Sequence, residues 1–77
     1  GEGPKEAIEC DLALEREALP DLKAAIARCE QVGDYVSREL FASIMKSEEE
    51  HIDWLETQLS LVAQLGLTPY LQAQVRD

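Results

Sequence analysis

The stretch Lys46-Ser47-Glu48-Glu49-Glu50-His51-Ile52-Asp53-Trp54-Leu55 decides how the rest of the chain folds. It lies in a segment whose apolar residues recur every three or four positions, as on one buried helix face: Phe41, Ile44, Met45, Ile52, Leu55, Leu59 and Val62. Glu48 and His51 fall in or beside this face, three residues apart, so a helix presents both side chains together. A buried carboxylate is costly unless it is paired or binds a metal, and the pattern therefore predicts a metal-binding helix. The alternative is an acidic, solvated helix face that carries one surface histidine.

The first part of the chain carries a second apolar seam with one polar exception. Steps of four and three join the members of the seam: Ile8, Leu12, Glu15, Leu19, Leu22, Ile26 and Cys29. Glu15 is the exception, since a carboxylate occupies a position at which the pattern requires an apolar side chain. Pro20 removes a backbone donor inside this segment. The seam continues in phase across it, so we expect one kinked helix rather than two short ones.

Breaks in the two patterns fall at residues that start or end helices: Pro4, Gly33, Asp34, Gly66, Thr68 and Pro69. They predict a helix at about 4–32, a second at about 34–65 and a short third at about 69–75, capped by Thr68. Residues 1–77 then form one all-α unit, an antiparallel two-helix hairpin followed by a short C-terminal helix.

The composition limits the class of protein. The 77 residues carry a net charge of -9, which argues against nucleic-acid binding and suits a surface that handles cations. Neither a membrane-spanning run nor a signal peptide is visible, so we expect a cytoplasmic protein without a membrane partner. Cys10 and Cys29 lie on one predicted helix, roughly 28 Å apart, too far to pair. We expect both to fill the core as free thiols.

The hairpin brings three polar exceptions to one depth. Glu15 lies about 18 residues before Gly33 and Glu48 about 15 after it, with His51 one turn further. Carboxylates with one imidazole suit iron or manganese. Three such ligands are half of a di-iron site of the kind found in ferritin-like four-helix bundles. One hairpin cannot cover both seams, so we expect two further helices, from the same polypeptide or another chain, to complete the bundle.

Four stretches resemble the C-terminal half of bacterioferritin, and the likeness covers essentially the whole chain: DLALE (11–15), DYVSR (34–38), EEEHIDWLET (48–57) and GLTPYLQAQ (66–74). The resemblance implies a ferroxidase that oxidises Fe(II) and stores iron as a mineral inside a hollow shell of 24 subunits, with haem b at two-fold interfaces. It implies that Glu15 and His51 are terminal iron ligands and Glu48 a bridging ligand.

The resemblance also implies that Asp53 and Thr57 lie near a pore through which iron enters the shell. The family often has an acidic residue three positions after Thr57, where this chain has Ser60, so the charge of that pore is in question. The first two helices of the family's bundle, with the remaining iron ligands and the haem-ligating methionine, are absent from these 77 residues. Met45 is on the wrong helix for that ligand and is expected in the core.

Two alternatives stay open at this stage. One is another di-metal carboxylate bundle, an oxygenase or a peroxide scavenger. The other is a non-catalytic helical interaction module whose core acids set its register. Among the remaining residues, we expect Trp54 to serve packing, Tyr35 to contact another helix, and Tyr70 with Leu71 to pack between subunits. Arg16, Arg28 and Arg38 are expected as exposed ion-pair partners of nearby acids.

Overall fold

Three helices make up the part of the chain that the computed structural model describes, residues 3–75. They are α1 (Pro4–Val32), α2 (Tyr35–Leu65) and α3 (Leu67–Gln74). The long helices α1 and α2 pack against each other in opposite directions, and α3 returns onto α2. No strand occurs within residues 3–75. The predicted all-α hairpin with a short third helix is therefore confirmed, while residues 1, 2, 76 and 77 of the predicted 1–77 unit lie outside the described part.

The turn between α1 and α2 has the predicted cap residues. Gly33 has a φ of 74°, in the left-handed region that glycine enters without steric cost. The next backbone N–H, that of Asp34, donates to the carbonyl of Cys29 at 2.9 Å. The carboxylate of Asp34 accepts a hydrogen bond from the backbone N–H of Ser37 at 3.1 Å. Hydrogen bonding from Ser37, from its side chain first and its backbone second, lowers the pKa of Asp34.

The helix α1 continues through Pro20, as the phase of its seam predicts. Proline has no backbone N–H, so the carbonyl of Arg16, four residues earlier, loses its helical hydrogen bond. The structure thus has one long helix with a local gap in its backbone ladder between residues 16 and 20.

The core lies between α1 and α2. Leu12, Ile52 and Leu55 form its centre, and Leu55 is only 2% exposed. Ile8 and Leu19 from α1 pack against this cluster, as does Leu59 from α2. Each of these residues belongs to one of the two predicted stripes, so the period of the sequence identified the contact faces of both long helices.

Two residues expected to be covered are exposed. Both cysteines are free, but only Cys29 is buried, whereas Cys10 is exposed. Cys10 is two residues from both Ile8 and Leu12, about 200° around the helix, so it points away from their face. Tyr35 is 67% exposed and contacts no helix of this chain closely enough to be covered.

The third helix begins two residues earlier than predicted. Gly66 ends α2, as expected, by donating its backbone N–H to the carbonyl of Val62 at 2.9 Å. Its own carbonyl then accepts from the N–H of Tyr70 at 3.1 Å, which starts α3 at once. Gly66 is thus the N-cap, and the prediction that Thr68 caps α3 is wrong. Pro69 is tolerated at the third helical position, because backbone N–H groups of the first turn have no helical partner.

Tyr70 packs within its own chain, and the expectation that it packs between subunits is wrong. Its side chain is 5% exposed, and its hydroxyl donates to Oε1 of Gln58 on α2 at 2.6 Å. Gln58 is itself only 7% exposed. The short helix buries Tyr70 because α3 folds back onto α2 directly after Gly66. There the side-chain oxygen of Gln58 accepts the hydrogen bond from the tyrosine hydroxyl. Leu71 and Val75, by contrast, remain exposed.

Tyr70→Phe should loosen α3 and lower the free energy of unfolding of the complete protein by about 1–3 kcal/mol, because the amide oxygen of Gln58 stays buried without its donor. Chemical denaturation measures the loss, and hydrogen exchange of residues 67–74 locates it. Tyr35→Phe is the matched control, since Tyr35 is 67% exposed and donates no hydrogen bond within residues 3–75. Equal effects of the two substitutions would remove any special role from the Tyr70 hydroxyl.

The folded chain is open rather than compact. Its radius of gyration is 16.7 Å, against about 11–12 Å for a compact domain of this length. Its accessible surface is 5634 Å², against about 4,700 Å² for a compact monomer of its mass. The excess comes with apolar side chains that are half or more exposed: Leu14, Val32, Tyr35, Val36, Leu40, Trp54, Leu65 and Val75. Within residues 3–75, no helix has both the length and the apolar character needed to cross a membrane.

Candidate metal centre

Glu15 of α1 and His51 of α2 meet across the interface between the two long helices. Nδ1 of His51 lies 3.6 Å from Oε1 of Glu15. The Glu15 side chain is 23% exposed and that of His51 47% exposed. Two helices far apart in sequence thus bring one carboxylate and one imidazole to the same point, at the depth that the hairpin geometry predicted.

One oxygen of Glu15 has no partner within the described part of the chain. Oε2 is buried and accepts no hydrogen bond. A buried carboxylate oxygen without a donor costs free energy, and such groups persist where a cation or a further donor satisfies them. The carboxylate and imidazole donors are also those that iron and manganese accept. Glu15 and His51 therefore fit a metal.

Glu48 lies on α2, one turn before His51, and is half-buried. Within residues 3–75, however, no three His, Cys, Asp or Glu side chains lie close enough together to hold a metal ion. The structure thus brings together two of the three predicted ligands, Glu15 and His51, and the role of Glu48 stays a prediction. Glu49 and Glu50, beside it, are exposed as expected for a solvated helix face.

The Trp54 ring stacks on the His51 ring and does not lie in the core. The two ring centroids are 6.2 Å apart and the ring planes are inclined by 28°. The indole is 54% exposed in this chain, so the expectation that it serves packing stays a prediction. Its position one turn from His51 leaves both rings on an exposed part of α2.

On the other side of the helix interface, Arg16 of α1 forms an ion pair with Glu56 of α2. Arg38 pairs with Glu30 near the turn, with Nε 2.9 Å from the carboxylate. The prediction of exposed ion pairs is confirmed for Arg16 and Arg38. Arg28 is exposed as predicted but forms no ion pair within residues 3–75. Asp53 and Thr57, the predicted pore residues, are exposed on α2, and their place at a pore stays a prediction.

Met45 is the only methionine of the chain. It is expected in the core, and it is half-buried on the packed stripe of α2. That a haem-ligating methionine lies outside these 77 residues stays a prediction.

Sequence reasoning missed one buried polar residue, Gln58. It is the partner of the Tyr70 hydroxyl and lies three residues after Leu55 and four before Val62, on the buried face of α2. That spacing was a usable signal, because a glutamine at such a position requires a hydrogen-bond partner.

Comparison with known proteins identifies the family to which this chain belongs. The sequence profile of the ferritin-like domain matches residues 1–65. The chain belongs to the ferritin-like domain family. Bacterioferritin from Rhodobacter capsulatus is 52% identical over 66 residues, which cover 86% of this chain and 41% of that protein.

Two further relatives match a larger share of the chain. A bacterial ferritin from Pseudomonas aeruginosa is 48% identical over 71 residues, covering 91% of this chain and 46% of that protein. One from Synechocystis sp. is 45% identical over 76 residues, covering 97% of this chain and 49% of that protein. Within the family, the likeness is to bacterioferritins, and the chain spans less than half the length of these relatives.

Proposed function

We propose that this chain is the C-terminal half of an iron-storing ferroxidase subunit and supplies half of its di-iron centre. The observation that carries the proposal is the contact between Glu15 and His51, with the second oxygen of Glu15 buried and without a partner. The proposal is supported by membership of the ferritin-like family and by similarity to proteins named bacterioferritin. Two further helices, carrying another Glu and a second Glu-x-x-His, complete the bundle.

Each of the three residues has a distinct task in this proposal. Glu15 and His51, one from each long helix, hold the same iron position as terminal ligands. Glu48 reaches both positions with its two oxygens and sets the distance between them. The apolar layer formed by Leu12, Ile52 and Leu55 keeps this part of the bundle rigid, so the ligands keep their places when iron arrives.

The iron is substrate and cargo. Two Fe(II) ions give up one electron each and become Fe(III). Oxygen takes up the two electrons with two protons and leaves as hydrogen peroxide, or hydrogen peroxide takes them up with two protons and leaves as two water molecules. The protein's contribution is to hold the ions together in a partly water-excluded layer and to let the products move on. The net charge of -9 favours the approach of cations to the surface. In the complete assembly, a hollow shell of 24 subunits in the cytoplasm, the mineral collects inside, and Asp53 and Thr57 line a pore for iron.

The experiment is an oxidation assay on the complete protein. Fe(II) is mixed with the metal-free protein without oxygen, and oxygen or peroxide is then added. We expect oxidation well above the rate in buffer, and we expect the Fe(III) to stay with the protein on size-exclusion chromatography. Oxidation at the buffer rate would favour a non-catalytic helical module instead.

A further inference from the structure

Polar residues flank the apolar contact line of α1 on both sides. Successive residues of an α-helix are about 100° apart, which places Glu15 about 60° to one side of Leu12 and Arg16 about 40° to the other. Their partners on α2 are placed in the same way, since Ile52 and Leu55 lie between His51 and Glu56. The Arg16–Glu56 ion pair is therefore the counterpart, on the opposite side of the same interface, of the Glu15–His51 contact.

The backbone of α1 lacks a hydrogen bond at this same place. Pro20 cannot donate to the carbonyl of Arg16, so the helix lacks one hydrogen bond in the turn that follows Glu15 directly. A helix that has lost such a bond bends or opens more easily there. The turn that must hold the Glu15 carboxylate in place thus lacks one of its backbone hydrogen bonds.

We propose that the Arg16–Glu56 ion pair compensates for the missing backbone hydrogen bond at Pro20 and so positions Glu15 for iron. This inference rests on the function proposed above. Glu15 and Arg16 are consecutive, so any rotation of this turn that moves the Glu15 carboxylate also pulls Arg16 away from Glu56. Arg16 and Glu56 are positioning residues, since they lie on the far side of the interface from the ligands.

The size of the effect follows from the exposure of the pair. The two side chains are 55% and 47% exposed, so their attraction is modest. A loss of about threefold to fivefold in rate corresponds to about 0.6–1 kcal/mol, which is within reach of such a pair. Small ligand displacements are enough, because a shift of about 1 Å can cost about 100-fold.

The test uses the complete protein and its rate of Fe(II) oxidation at saturating Fe(II). Arg16→Gln and Glu56→Gln should each lower this maximal rate by about threefold to fivefold. The exchange variant Arg16→Glu/Glu56→Arg should restore it to near the parent rate, which also shows that the interface folds. In a Pro20→Ala background, where the backbone hydrogen bond returns, Arg16→Gln should have little effect on the maximal rate.

The direction in which each variant changes the apparent affinity for Fe(II) separates positioning of Glu15 from simple attraction of cations. Removing the positive charge of Arg16 should raise the apparent affinity for Fe(II), while removing the negative charge of Glu56 should lower it, if charge alone acts. A faster Arg16→Gln variant, an exchange variant that stays slow, or equal slowing with and without Pro20 overturns the inference. A parent protein that does not oxidise Fe(II) overturns the proposed function, whereas an active parent with unaffected variants overturns this inference alone.

Discussion

Glu48→Ala in the complete protein should lower the rate of Fe(II) oxidation by at least about 100-fold, because residues that only support metal ligands already cost about 10- to 100-fold. A bridging carboxylate holds both iron ions and sets their separation, so its loss disturbs both. Glu15→Ala and His51→Ala should each weaken the binding of iron at one position only. The loss of rate should therefore vary more with the Fe(II) concentration. Stopped-flow oxidation at several Fe(II) concentrations distinguishes these outcomes.

The matched control is Glu49→Ala, which removes the same charge from the next residue. Glu49 is exposed, so Glu49→Ala should leave the rate of Fe(II) oxidation near that of the parent protein. The metal-free Glu15→Ala variant should be as stable as the parent or more so, since it removes an unsatisfied buried oxygen. If Glu48→Ala oxidises iron at the parent rate, or if all three ligand variants unfold readily without metal, the residues are structural and the di-iron proposal fails.

The isolated 77-residue chain should associate rather than persist as a compact monomer. The structure leaves exposed a set of apolar residues along both long helices, including Val36 at 84% and Leu40 at 59%. A surface this apolar is unfavourable in water and is covered by partner helices in bundles. Sedimentation velocity at several concentrations should show oligomers whose population grows with concentration.

Two substitutions to lysine test whether the exposed apolar residues cause the association. Val36→Lys/Leu40→Lys should reduce association of the isolated chain, because it removes apolar surface and adds charge. Glu39→Lys, an exposed neighbour, changes charge without removing apolar surface and serves as control. A compact, folded monomer of the unaltered chain, or a control that dissociates the oligomers equally, would contradict the claim that the apolar faces of α1 and α2 drive association.

Local rules in the sequence determined most of the helical architecture. The seam of α1 and the stripe of α2 identified the residues that meet in the core, among them Leu12, Ile52 and Leu55. Gly33 and Asp34 placed the turn, because a left-handed glycine and an N-capping carboxylate act within a few residues of themselves. The depth of Glu15 relative to His51 followed from counting residues on either side of that turn.

Only the tertiary structure determined which polar side chains on different helices contact each other. No local rule indicated that α3 would fold back so that Tyr70 meets Gln58, because that contact depends on the direction in which the chain leaves Gly66. The pairing of Arg16 with Glu56 likewise depends on how α1 is rotated against α2, which fixes the partner of an exposed side chain. The sequence by itself thus determined the helices, their turn and the faces that pack. Tertiary packing decided which polar groups meet, since residues 12 or more positions apart are joined only by the relative placement of whole helices.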